Sequence, residues 1–204
     1  KIHGNKLTGT IPTEFGILNR LQVFEAARNM IHGTIPSEMG RMVSLLSLDI
    51  SGMASPSLTG TIPTELGRLS RLDTLALADN QLSGPGLDVV LGGQLTSLAY
   101  CYLNNNALTS TIPKEVALLK STLKQLYIQN NRLTGTVPLE LGECSILDLL
   151  DMTSNKLQGS VPQEICQLQQ NSNPLKSVLF VSDCKATGLQ CPIPDCCTQC
   201  AGDK

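Results

Sequence analysis

Three observations predict an α/β fold built as a right-handed solenoid, with a parallel β-sheet on its concave side. First, the segment N-x-L-[STQ]-G-x-[IV]-P recurs at Asn5, Asn131 and Asn155, with close variants at Asn29 and Asn106. Second, its leucine slot falls at Leu7, Ile31, Leu58, Leu82, Leu108, Leu133 and Leu157, at intervals of 24, 27, 24, 26, 25 and 24 residues. Third, the 204 residues include three Phe, three Tyr and no Trp, so the core is aliphatic. A unit of this length cannot bury its apolar edge alone and does so by stacking on its neighbours.

Each coil reads in the same order. Upstream of the motif stands L-x-x-L-x-L-x-x-N, as in Leu123, Leu126, Ile128, Asn131 and in Leu147, Leu150, Met152, Asn155. Two apolar residues two apart share one face of a strand, and the residue between them faces the other way. The strand is therefore short, its apolar side turned inward. The Asn follows it, where an amide can both donate to and accept from turning backbone that would otherwise be buried unpaired. This predicts a ladder of Asn29, Asn80, Asn106, Asn131 and Asn155, with Asp183 in the same slot. Next come glycines such as Gly33 and Gly60, which allow a tight bend, and prolines such as Pro36 and Pro63, which end a short second strand. Helical or 3-10 turns on the convex side complete the coil. No glycine spacing suits a phosphate cradle.

These motifs resemble the plant-specific class of extracellular leucine-rich repeats, which includes polygalacturonase-inhibiting proteins and the ectodomains of receptor kinases and receptor-like proteins. The resemblance covers roughly residues 4 to 183. The closing stretch C-P-I-P-D-C-C-T-Q-C looks more like repeat proteins of diatoms and related algae. The expected organisation is a solenoid of about eight coils over 1–183, its first coil incomplete, and a cysteine-rich C-terminal cap over 184–204. Because the chain opens inside a repeat, a preceding segment is expected.

Two coils depart from the pattern. Residues Ser51 to Ser57 carry a three-residue insertion and lose the Asn, which predicts a loop bulging along one rim. Between Ser83 and Gly93 the I-P segment is replaced, and Leu87, Val90 and Leu91 at i, i+3 and i+4 suggest a short convex helix.

Of the eight cysteines, Cys101 and Cys144 occupy leucine slots and read as buried free thiols. Cys166, Cys184, Cys191, Cys196, Cys197 and Cys200 make three disulfides in an order that spacing leaves open. A short Pro-rich tail with no core of its own needs such staples. Zinc at the C-x-x-C of Cys197 and Cys200 is the rival reading, but a second properly spaced pair is lacking. Metal ligands and cofactors are therefore not expected. Disulfides point to a secreted or cell-surface protein, or to another oxidising lumenal compartment.

The net charge of −2, without a Lys/Arg run, gives no footprint for nucleic acid. No apolar stretch is long enough for direct membrane insertion of this fragment. The two histidines, His3 and His32, have no nucleophile arrangement around them. Glu14, Glu38, Glu65, Glu115, Glu140 and Glu164 recur at one slot, which reads as solvated decoration and not as an acid–base pair. An enzyme is not expected.

A partner surface is expected on the concave sheet. Its middle column runs Glu25, Asp49, Ala76, Tyr102, Tyr127, Asp151, Leu179; the column before it runs Val23, Ser47, Thr74, Tyr100, Gln125, Leu149, Ser177. The column after runs Ala27, Ser51, Ala78, Asn104, Gln129, Thr153, Val181. All three tyrosines meet on two adjacent coils, and neighbouring strands about 4.8 Å apart put Tyr102 beside Tyr127. The candidate partner-binding residues are Tyr100, Tyr102, Tyr127, Asn104, Gln129, Asp49 and Asp151. Amphipathic tyrosine among amides suits protein, peptide or glycan recognition; stacked tyrosines that merely favour strand pairing are the plainer reading. The resemblance implies a recognition module. The alternative is a structural subunit or scaffold of a cell-surface, cell-wall or lumenal assembly.

Overall fold

The computed structural model describes residues 1–171 and the strands Leu179–Ser182, Leu189–Gln190 and Gln199–Cys200. Three-residue strands Val23–Glu25, Ser47–Asp49, Thr74–Ala76, Tyr100–Tyr102, Gln125–Tyr127 and Leu149–Asp151 follow one another in chain order. With Leu179–Ser182 and Gln199–Cys200 they form one parallel sheet of eight strands. This is the concave sheet, and each strand is short because only its x-L-x core faces a neighbour. In-register pairing stacks Phe24, Leu48, Leu75, Cys101, Leu126 and Leu150. All six are buried, as are the second apolar residues Ala26, Ile50, Leu77, Leu103, Ile128 and Met152.

A second parallel sheet of five strands runs through the motif segments: Thr8–Thr10, Met30–Thr34, Leu58–Gly60, Gln81–Gly84 and Ala107–Leu108. Further on, Gly159–Ser160 pairs with Leu189–Gln190. The segment expected as a cap thus contributes one strand to each sheet system. Proline then redirects the chain: Pro12, Pro36, Pro63, Pro113 and Pro138 each immediately precede a 3-10 turn. In the fourth coil the turn is an α-helix, Leu87–Leu91, with Leu87, Val90 and Leu91 all buried. The longest helix among the described residues is Gln163–Asn171. Convex turns pack so closely that a Cβ on Gly16 would stand 2.6 Å from the Glu38 carbonyl oxygen.

The Asn ladder binds each coil to the one before it. Asn131 is representative: its Nδ2 donates to the carbonyls of Leu103, Ile128 and Gln129 at 3.0, 3.1 and 3.3 Å, and its Oδ1 accepts from the Leu108 amide at 3.0 Å. Asn29, Asn80, Asn106 and Asn155 repeat the scheme. Immediately before each rung stands a left-handed residue, namely Arg28, Asp79, Asn105, Asn130 and Ser154, with φ from 53 to 56°. In the third coil the same conformation falls on Gly52, so Met53 occupies the ladder slot and is buried there. The extra residues follow it and include a cis Ser55–Pro56 bond.

A plug-and-socket contact lies along the second sheet. A Cβ on Gly33 would meet Thr10 Cγ2 at 3.0 Å, on Gly60 Thr34 Cγ2 at 3.0 Å, and on Gly135 Thr111 Cγ2 at 2.9 Å. Gly84 stands likewise to Thr61, and Gly159 to Thr136. The methyl of one coil fills the space that the next coil's missing side chain leaves.

One expected register is corrected. Pairing sets Phe180 opposite Leu150 and Val181 opposite Asp151, so the middle column ends on Val181, and Leu179 belongs beside Leu149. Strand-to-strand spacing in the preceding coils follows the 24–27-residue period, whereas Leu150 to Phe180 is 30 residues. The helix Gln163–Asn171 lengthens this coil. Asp183, assigned to the ladder slot from sequence, lies outside the described residues, as does Ser177.

Candidate concave-face recognition site

The strand Tyr100–Tyr102 turns Cys101 into the core, where its thiol is wholly buried, and thereby holds both tyrosines on the concave side. Strand register places Tyr102, Tyr127 and Asp151 in one row, and Tyr100, Gln125 and Leu149 in the next. The rings of Tyr102 and Tyr127 lie 5.3 Å apart and are tilted by 37°, within the range of attractive aromatic pairs. The Tyr102 hydroxyl donates to Gln125 Oε1 at 2.8 Å. Over Tyr100 stands Lys124, its Nζ 5.5 Å from the ring centroid, a cation–π distance.

All three tyrosines are half-buried. Burial raises the Tyr102 phenol pKa first, and the neighbouring Tyr127 and Tyr100 add to it. Burial also raises that of Tyr127, followed by the Asp151 carboxylate. Both phenols therefore stay protonated at neutral pH.

Asp151 and Asp49 are held by their own turns. Asp151 Oδ1 accepts from the Thr153 amide at 3.1 Å and from its hydroxyl at 2.8 Å; Asp49 Oδ1 accepts from the Ser51 amide and hydroxyl at 3.1 and 2.7 Å. These Asx turns fix the carboxylates and leave the other oxygen of each without a partner among the described residues. Gln129 Oε1 is buried and also unpartnered. Asn104 is half-buried at the strand end. The site therefore brings together Tyr100, Tyr102, Tyr127, Gln129 and Asp151. Asp49 is not part of it: Ala76 separates it from Tyr102 in the row. Alanine and threonine also close parts of the face, since Ala27, Ala76, Ala78 and Thr153 are buried.

Sequence reasoning missed the Lys124–Tyr100 contact, the Gln125 acceptor and the aspartate caps. The caps do have a signal, the D-x-[ST] spacing of Asp49-Ile50-Ser51 and Asp151-Met152-Thr153.

Cys101 and Cys144 are free and buried. Cys166 is disulfide-bonded, while the other tail cysteines, Cys184, Cys191, Cys196, Cys197 and Cys200, lie outside the residues whose side chains are described. Among the described residues no group of three potential metal ligands occurs, and no helix is long and apolar enough to cross a membrane. The recurrent glutamates sit at the starts of convex turns, where Glu14, Glu38 and Glu65 accept from the hydroxyls of Thr13, Ser37 and Thr64.

A stack of short strands joined by Asn rungs and Pro-initiated turns defines a leucine-rich repeat protein, a class whose surfaces bind ligands and do not catalyse reactions. The chain belongs to that class: the Leucine Rich Repeat family profile matches residues 122–144, the chain is 30% identical to a chain of the BIR3–SERK2 complex from Arabidopsis thaliana, covering 67% of it with a TM-score of 0.55, and its likenesses include plant receptor ectodomains. It is 28% identical over 172 residues to Receptor-like protein 41 of Arabidopsis thaliana, covering 83% of this chain and 16% of that protein. It superposes with a TM-score of 0.78 and 36% identity on the plant peptide hormone receptor RGFR1 in complex with RGF2, covering 88% of this chain and 27% of that one. For the Arabidopsis receptor kinase HAESA, in complex with the peptide hormone IDA and the co-receptor SERK1, the values are 0.74 and 34%, over 79% and 26% of the chains. This chain thus spans under a third of the length of these last three relatives.

Proposed function

We propose that this chain is an extracellular recognition module, secreted or at the cell surface, whose concave face binds a peptide or an extended segment of a protein. The tyrosine cluster carries the reading. On the concave face Tyr100, Tyr102 and Tyr127 form an amphipathic platform carried on two paired strands, the residue type that anchors interfaces. Receptors similar to this chain in fold and sequence are complexed with peptide hormones, which favours a peptide over a glycan.

The test is photocross-linking. p-Benzoylphenylalanine placed at Asn104 should capture a polypeptide from the extracellular fraction of the source cells, and Tyr102→Ala with Tyr127→Ala should abolish the capture. The same probe at Val43, which is 50% exposed on a convex turn, should capture nothing. Capture from Val43 and not from Asn104 would overturn the reading in favour of a scaffold that assembles through its outer side.

A further inference from the structure

The chemistry of the concave face says what kind of side chain it receives. From Val23 to Thr153 its outward positions carry Glu25, Asp49 and Asp151, and none carries Lys, Arg or His. Glu25 is paired with Lys1 at 2.9 Å. Asp151 is held by Thr153 through one oxygen only. Beside it in the row lie the rings of Tyr127 and Tyr102, and the Tyr102 hydroxyl spends its proton on Gln125. Among the described residues this corner offers carboxylate oxygen and aromatic faces and is short of donors and of positive charge. Tyr100 shows how the shortage is met, because the chain's own Lys124 occupies that ring; among the described residues no cation stands over Tyr102 or Tyr127.

We infer that the corner formed by Tyr102, Tyr127 and Asp151 is a subsite for an arginine side chain of a peptide partner. A guanidinium is planar, stacks on aromatic faces and carries five N–H donors. Laid against the tyrosine pair, it directs N–H groups to the free oxygen of Asp151. The Asx turn holds the carboxylate in place before the cation arrives. This inference rests on the concave-face reading above and names the chemistry of its partner.

Fluorescence anisotropy with fluorescein-labelled hexa-arginine tests it, with hexa-citrulline as the uncharged isostere. Hexa-arginine should bind at least about tenfold tighter than hexa-citrulline, and Asp151→Asn should remove about tenfold. Asn keeps the turn acceptor, so the fold survives. Tyr127→Leu should weaken binding to a similar degree and Tyr127→Phe should retain it. Asp79→Asn, exposed and away from the corner, should change nothing. Equal binding of the two peptides, no loss in Asp151→Asn, or an equal loss in Asp79→Asn would overturn the inference. If that happens while cross-linking from Asn104 persists, recognition stands and only the arginine subsite falls; if both fail, so does the concave-face reading.

Discussion

The Tyr102 hydroxyl donates to Gln125 Oε1 across the boundary between two coils. The bond joins the middle column of one strand to the leading column of the next, diagonally across the row that Tyr102 shares with Tyr127. It sets the tilt at which the Tyr102 ring meets Tyr127. Tyr102→Phe keeps the ring and frees Gln125, and the expected loss of stability is about 1 kcal/mol, read from the urea midpoint. A larger loss would mean that the hydroxyl holds more than the pair.

The Asn rungs bear more. Asn131→Ala removes three donated bonds and one accepted bond at a site where the side chain is buried. Unpaired buried carbonyl and amide groups cost about 1–3 kcal/mol each when nothing replaces the partner. Asn131→Ala should therefore lower stability by about 3 kcal/mol or more in chemical denaturation, well beyond the effect of an exposed neighbour such as Arg132→Ala.

The left-handed positions offer the opposite sign. Arg28 adopts φ 56° on the surface, a conformation costly to residues with a Cβ. Arg28→Gly should stabilise the protein or leave it unchanged, within about 1 kcal/mol. Gly52→Ala, at φ 64°, should destabilise it by about 1–2 kcal/mol. Thermal melts of the two variants should move in opposite directions or, at the least, differ in this order.

Both leucine-slot cysteines are chemically silent. Burial pushes the Cys144 thiol up to about 12, with Glu143 adding to the rise, and burial alone raises that of Cys101 further. Peptide mapping after treatment with a thiol reagent at pH 8 should find both unmodified in the native protein and both modified in guanidinium. The sign of the pH effect follows. Folding binds these protons more tightly than the unfolded chain does, so the stabilisation is complete below the ordinary thiol value of 9.0 and declines as pH rises above it. Cys144→Ala should flatten that alkaline decline.

Most of the solenoid was legible because each coil repeats the same physical problem. Asn131 and Asn155 announce the end of a strand, Pro138 the start of a turn, and Leu126 with Ile128 the buried side. Legibility failed where the problem changed. The helix Gln163–Asn171 adds length without adding a repeat signal, so counting from Leu150 reached the wrong residue opposite Asp151. The rotation of Lys124 toward Tyr100 and the reach of Tyr102 to Gln125 depend on side-chain torsions, to which periodicity is blind. That the tyrosines share one face followed from spacing alone; that Asp49 stands apart from them followed from Ala76 between.

The threonine–glycine fit on the second sheet carries a consequence for lineage. Each coil brings half of the joint on either side, a methyl for its successor and a hollow for its predecessor, so any coil of this kind can be copied next to any other without redesign. The fourth and fifth coils are the exception that defines the rule: Pro85 stands where the methyl should be, and Ser110 where the hollow should be. Both halves changed across one junction and at no other described junction up to Gly159. That junction is a seam, and a duplication or deletion that separated its two sides would leave a serine side chain facing a threonine methyl.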